Sequence, residues 1–128
     1  MMLLLDTHTL LWVMLGDPKL SRRAKIALAT ASIEVFVSVV SIWEIATKVR
    51  IGKLPIPGDL LNDPISALTS LGFRDLPLTL SHARLGGLLP NSHKDPFDRM
   101  LAAQALLEGL TLVSADTVFD DFAVSRLW

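Results

Sequence analysis

The sequence predicts an α/β protein, a three-layer α/β/α sandwich around a central, mostly parallel sheet, and three observations carry that expectation. Short apolar runs alternate with helix-like segments along all 128 residues. The apolar runs lack the polar alternation of a half-exposed strand, so they suit strands covered on both faces by helices. Hydrophobic residues make up 51% of the chain against 20% charged, enough for one core in a single domain spanning residues 1–128 without disulfides or structural metal.

Taken in order, Met2–Leu5 is a continuous apolar run that reads as a buried strand ending at Asp6, and Thr7–Leu15 has helical character until Gly16-Asp17-Pro18 stops it. Ser21 can cap a helix running to about residue 31, with Arg22, Arg23 and Lys25 on its wet side. Residues 35–37, Val-Phe-Val, form a second β-branched and aromatic run. A helix over 39–51 ends at Gly52 and is followed by the proline-containing loop 54–58. Another helix is expected within 60–71, a short strand at 73–76 and a helical piece at 81–88. Asp95-Pro96 opens a long helix to Glu108 with Gly109 at its end, and Thr111–Val113 and 124–127 read as the last two strands.

No apolar run approaches the ~18 residues needed to span a bilayer, so no membrane-spanning helix is expected. The start Met-Met-Leu-Leu-Leu-Asp lacks a basic region, and its apolar run is shorter than a secretory core of about 7–15 residues. Mainly for want of such a signal, and in keeping with zero cysteines, the expected location is the cytoplasm. Thirteen acids against 12 bases give a net charge of −1, so any nucleic-acid contact must be local. The basic residues within 19–25 and at Lys48, Arg50 and Lys53 suit either phosphate contacts or solvated helix faces. A mean hydropathy of +0.47 with so little charge predicts apolar surface kept for another chain. The run 10–15 with Trp12 has more apolar positions than one buried helix face requires, and the early helices and the segment 54–61 are the expected walls of such a groove.

Several chemistries are absent. There is no Gly-x-Gly-x-x-Gly after the first strand, no phosphate-binding Gly-rich loop ending in Lys-Ser/Thr, and no Gly-x-Ser-x-Gly elbow. His8, His82 and His93 do not fall at metal-ligand spacing, and each reads as structural or surface. Carboxylates remain, and four of them occupy linked positions.

Asp6 follows a strand and precedes a helix, where it suits either an N-cap or a site at the strand edge. Glu44 sits one turn before Lys48, an arrangement typical of a solvated helix face. At about 100° per residue, however, Ser41, Glu44, Thr47 and Lys48 share one stripe while Ile42, Ala46 and Val49 occupy the opposite one, so the stripe can line a cleft. Asp98 stands at N3 behind Asp95 at N-cap and Pro96 at N1, a good helix start. Leu101, Ala102 and Ala105 lie within about 60° of it on the helix, so it opens an apolar face and is expected to look inward. Asp116 follows the strand Thr111–Val113, as a turn residue or a further acid at the same edge. Parallel strands bring such points together, and acids gathered there repel unless a cation neutralises them; an all-oxygen set favours Mg²⁺ or Mn²⁺. Two such ions can activate a water and stabilise the leaving oxygen of a phosphodiester.

The segments Leu-Leu-Asp6-Thr7-His8-x-Leu-Leu-Trp12, Val-Ser38-x-x-Ser41-x-Trp43-Glu44-Ile, His93-x-Asp95-Pro96-Phe97-Asp98-Arg99-x-Leu-Ala-Ala-Gln104-Ala and Leu-Val-Ser114-Ala-Asp116 together resemble the PIN-domain ribonucleases, in particular the VapC-type toxins of toxin–antitoxin pairs. The resemblance spans essentially the whole chain. It implies an α/β/α sandwich whose acids bind Mg²⁺ or Mn²⁺ and hydrolyse RNA, working as a homodimer inhibited by a cognate antitoxin. Carried over residue by residue, the catalytic and metal-binding acids fall on Asp6, Glu44, Asp98 and Asp116, with Thr7 and Ser114 supporting them. Asp6 and Asp98 become the primary ligands, Glu44 and Asp116 complete the site directly or through water, and no side chain is the nucleophile. Asp95 is extra to this quartet and suits metal contact, orientation of Arg99 or helix capping.

The alternative is a non-catalytic interaction module of the same fold, its acids capping helices. A phosphotransfer enzyme with Asp6 as covalent nucleophile fits less well. The haloacid-dehalogenase pattern wants a second acid where His8 stands, and a response-regulator receiver wants paired acids at the first strand end.

Overall fold

The computed structural model describes residues 1–128. Its elements run β1 (Met2–Leu5), α1 (Thr7–Leu15), α2 (Arg22–Ala29), β2 (Glu34–Ser38), α3 (Val39–Arg50), α4 (Pro64–Ser70), β3 (Arg74–Leu76), α5 (Leu80–Leu88), α6 (Pro96–Glu108), β4 (Thr111–Val113), a 3-10 helix (Thr117–Phe122) and β5 (Arg126–Leu127). The five strands form one parallel sheet in the order β3-β2-β1-β4-β5.

The three leucines of β1 show why this sheet needs two helix layers. Leu3, Leu4 and Leu5 are all fully buried, but successive strand residues face opposite ways. Leu3 and Leu5 join a core with Leu10, Ala24, Val37 and Ile45, under α1 to α4. Leu4 joins a second core with Leu101, Ala102, Ala105 and Phe119, under α6 and the 3-10 helix. Strand β4 repeats the division, Val113 facing the first core and Leu112 the second.

Helix ends follow local chemistry. Ser21 accepts from Ala24 N at the start of α2, and Asp63 from Ser66 N at the start of α4. Gly16 and Gly109 close α1 and α6 in the left-handed conformation, φ 62° and 65°, which costs glycine little.

Some expectations are corrected. The helix predicted to reach residue 31 ends at Ala29, and the last strand is Arg126–Leu127 rather than 124–127. The 3-10 helix was not foreseen; Asp116 caps it and Phe119 and Phe122 bury its apolar side. Segment 54–61 does not wall a groove: Leu60 is fully buried in the core, with Leu54 and Leu61 packed against it. The apolar clefts lie along the helices, one of them at the early helices where a groove was expected. One runs between α3 and α4 past Val39, Ile42, Ile65 and Leu68; another is bordered by α1 and α2 with Trp12, Val13 and Leu28. No helix is long and apolar enough to cross a membrane.

Candidate active site at the carboxyl edge of the sheet

Strand register determines which residues meet. Leu5 of β1 pairs with Val37 of β2 on one side and Val113 of β4 on the other, so Asp6, Ser38 and Ser114 follow side by side at the carboxyl edge. From β1 the chain builds outward to β2 and β3, then returns to place β4 on β1's other flank. Such a reversal of strand order opens a crevice beyond the strand ends. Asp6 and Ser114 stand at its mouth.

Asp6 occupies the N-cap position of α1, yet its side chain caps nothing. Its Oδ2 instead accepts from Ser114 Oγ at 2.6 Å, and that same hydroxyl oxygen accepts from Asp116 N at 3.0 Å, tying the ends of β1 and β4 together. Burial pushes the Asp6 carboxyl above the usual range; the Ser114 hydrogen bond, His8 and the backbone N–H of Thr7 oppose the shift, and the Glu44 charge adds to it.

Glu44 is 4% exposed, which removes the solvated-face reading of its pair with Lys48. Its Oε1 accepts from Thr7 Oγ1 at 2.7 Å, and Thr7 Oγ1 also meets Ser41 Oγ at 3.0 Å. Its Oε2 pairs with Lys48 Nζ at 2.5 Å. The Ser41–Glu44 side of α3 therefore turns inward, and Ala46, expected on the apolar face, is exposed beside the exposed Trp43. For Lys48, burial disfavours the charge, but the contact with Glu44 and the fields of Glu44, Asp95 and Asp98 outweigh it and hold the ammonium above its ordinary value.

Asp98 lies in the first turn of α6, at the edge of the buried face formed by Leu101, Ala102 and Ala105. Its side chain is 18% exposed, so it looks along the crevice rather than into the core. Oδ2 accepts from His93 Nε2 at 2.9 Å. Burial pushes its carboxyl up to about 6; the His93 hydrogen bond opposes this, while the charges of Asp95 and Asp6 reinforce it. Asp95 caps α6, its Oδ1 accepting from Phe97 N at 2.9 Å and Asp98 N at 3.2 Å. Arg99, one of the roles considered for Asp95, bonds loop carbonyls instead. Asp116 does cap a helix, its Oδ1 accepting from Val118 N at 3.0 Å, and it borders a shallow depression with Asp6, His8, Trp12 and Ala115.

The fold thus brings Asp6 within electrostatic range of Glu44 and Asp98, and Asp98 within range of Asp95, with Asp116 joined to Asp6 through Ser114. In this arrangement no three His, Asp or Glu side chains converge on one point at metal-ligand distance; each acid is held by a partner within the protein. The chemistry of the set nonetheless suits a hard dication. The donors are carboxylate oxygens, and Asp6 and Asp98 are raised by burial and by neighbouring negative charge, a penalty that a cation reverses.

His93 is the residue that sequence reasoning missed. It was grouped with His8 and His82 as structural or surface. His8 is exposed, and His82 is structural: its Nδ1 accepts from Thr79 N, and its Nε2 donates to Glu108 Oε1 at 2.9 Å. His93 bonds a site carboxylate across five residues, and the signal available was its place just ahead of Asp95-Pro96-Phe97-Asp98.

Comparisons with known proteins agree with this architecture. Several solved structures align over nearly the whole chain. VapBC2 from Rickettsia felis, bound to a DNA fragment from its promoter, has a TM-score of 0.73 at 14% identity, covering 99% of this chain and 98% of that one. FitAcB from Neisseria gonorrhoeae has a TM-score of 0.70 at 22% identity, covering 100% and 97%. VapBC-1 from nontypeable Haemophilus influenzae has a TM-score of 0.70 at 16% identity, covering 99% and 97%. No curated protein sequence matches the chain. The PIN domain family model matches residues 3–125, and the chain belongs to the PIN domain family.

Proposed function

We propose that the protein is a divalent-metal-dependent endoribonuclease, the toxin of a toxin–antitoxin pair. The observation that carries this reading is the meeting of acids from separate segments at the crevice where strand order reverses, with Asp6 and Asp98 both raised by burial and neighbouring charge. Asp6 and Asp98 would hold Mg²⁺ or Mn²⁺, with Glu44 and Asp116 completing the site directly or through water. When bound, the cation would supply positive charge to a phosphodiester and lower the pKa of a coordinated water. The protein side chains do the positioning. Ser114 orients Asp6, Thr7 and Lys48 hold both oxygens of Glu44, and Asp95 fixes the first turn of α6 that carries Asp98.

The remaining parts of the reading are that residues 1–128 act as one cytoplasmic domain, a homodimer that receives a cognate antitoxin. Support comes from apolar surface that a lone chain leaves open, including Val39 at 39% and Ile65 at 77% exposure in the cleft between α3 and α4, and from a solved structural neighbour that is a toxin–antitoxin complex.

The test is cleavage of single-stranded RNA by purified protein with Mg²⁺ or Mn²⁺, with chelator, and with Asp98→Asn. Cleavage that needs metal and disappears in the variant is expected. An Asp98→Asn protein as active as wild type contradicts the site. A wild type that binds a partner protein but cleaves no RNA favours the interaction module.

A further inference from the structure

We infer that Arg99 and His93 form a positioning device for Asp98, locking one carboxylate oxygen so that the other stays available to a divalent cation. This rests on the metal-site reading above and assigns a task to two residues outside the acidic quartet.

The device starts where α5 ends. The last carbonyls of a helix lack partners within it, and the loop 89–95 has no regular structure to satisfy its own. Arg99 serves both. Its Nε donates to Gly86 O at 2.8 Å, Nη2 to Gly87 O at 3.4 Å and Leu89 O at 2.6 Å, and Nη1 to Asn91 O at 3.1 Å and His93 O at 2.8 Å. Reaching that far requires α5 and α6 to lie close. A Cβ on Gly86 would sit 2.9 Å from Met100 Sδ and 3.4 Å from Arg99 O, so a side chain there would have to displace the end of Met100.

The stapled loop then fixes the His93 ring. Asn91 Oδ1 accepts from His93 N at 3.0 Å and from Arg99 Nη1 at 3.2 Å. The ring stands edge-on to Phe122, centroids 5.8 Å apart at 81°. Its Nε2 then meets Asp98 Oδ2 at 2.9 Å, while Oδ1 has no hydrogen-bond partner in the protein. Asp98 and Arg99 are adjacent in sequence, so one helix turn carries both the carboxylate and the staple that organises its hydrogen-bond donor. Outer partners of this kind orient metal-ligating groups and typically govern affinity about 10–100-fold.

The measurement is Mn²⁺ affinity by calorimetry on the intact chain, without RNA. His93→Ala is expected to weaken Mn²⁺ binding about 10–100-fold. His93→Gln, which keeps an N–H at similar reach, is expected to recover most of it. Arg99→Ala, or Arg99→Lys if the former fails to fold, should weaken binding similarly, and the double variant should lose no more than the worse single one, because both act through one contact. A role in folding alone would lower the melting temperature while leaving affinity intact. Wild-type affinity in a folded His93→Ala protein overturns the inference. If the wild type itself binds no Mn²⁺, the metal-site reading fails; crystal structures of wild type and His93→Ala then decide the positioning role. An Asp98 carboxylate that turns when His93 is removed supports it, and one that keeps its orientation overturns it.

Discussion

Asp6 and Asp95 occupy the same kind of position and do opposite things. Each is the N-cap of a helix in extended backbone, with φ −64° in both cases. Asp95 turns its carboxylate onto the N–H groups of Phe97 and Asp98. Asp6 leaves the first N–H groups of α1 without a side-chain cap and accepts from Ser114 on the neighbouring strand. A cap of this type is worth about 1 kcal/mol, so α1 forgoes stabilisation that α6 keeps. The difference follows from what lies next door: β4 presents Ser114 to Asp6 at the sheet edge, whereas Asp95 follows a loop. The same residue type at the same kind of position caps a helix in one place and ties two strand ends together in the other, and substitutions can pull the two apart.

The largest expected effect is on activity at Asp6. Asp6→Asn should reduce metal-dependent RNA cleavage at least about 100-fold, since losing a ligand exceeds losing an outer partner, with melting temperature unchanged or raised because a buried charge is removed. Asp95→Ala should do the reverse in stability, lowering it by about 1 kcal/mol, or on the order of 4 °C in melting temperature. A destabilised Asp6→Asn protein with normal activity would erase the contrast.

Glu44→Gln should combine the two effects. The wild-type carboxylate is buried with both oxygens engaged, so the substitution strands Lys48 beside a neutral group. Fully buried pairs lose several kcal/mol when broken; because Lys48 is 30% exposed, about 1–2 kcal/mol is expected here, together with collapse of activity. Chemical denaturation and an RNA-cleavage assay on the same preparation check both halves.

Asp98 gives a pH signature. Its folded-state carboxyl lies at about 6 against an ordinary 3.8, so the folded chain holds a proton that the unfolded chain has released. The stability linked to this group is fully present below about 3.8 and is lost as pH rises through about 6. A shift of this size is nominally about 3 kcal/mol, and partial exposure reduces it to about 1 kcal/mol. Asp98→Asn should therefore be more stable than wild type at pH 7 without metal, the gain vanishing near pH 4. Urea titrations at the two pH values check it; a variant less stable at pH 7 contradicts the sign. The smallest effect belongs to the exposed pair Arg74–Glu34, 3.8 Å apart, where Arg74→Ala should change stability by less than about 0.5 kcal/mol.

The reach of the sequence can be judged at particular residues. Leu3-Leu4-Leu5 and Val35-Phe36-Val37 gave away their strands because only a sheet covered on both faces needs consecutive apolar residues. Thr7–Leu15 and the start of the helix opened by Asp95-Pro96 were legible because glycine and proline punctuate them. The resemblance to PIN-domain proteins identified the family that the comparison then showed. What the sequence concealed depends on tertiary context. The inward turn of Ser41 and Glu44 runs against the apparent apolar face of α3, because the polar side of that helix borders the acidic crevice beside Thr7. The 3-10 helix was hidden because its turn is too short to display a period. For His93 the sequence offered only its place just ahead of Asp95-Pro96-Phe97-Asp98; its contact with Asp98 depends on where Arg99 anchors loop 89–95.

The central claim is that the acids at the carboxyl edge form a divalent-cation site, and a thermal-unfolding titration with Mn²⁺ tests it most directly. A ligand that binds only the folded chain stabilises it by about 2.7 kcal/mol at a hundredfold excess over its dissociation constant. The melting temperature of wild type should therefore climb with Mn²⁺ concentration, while Asp6→Asn and Asp98→Asn start as stable or more stable and respond weakly. A wild-type melting temperature indifferent to millimolar Mn²⁺ and Mg²⁺, or variants that respond as fully as wild type, would contradict the claim.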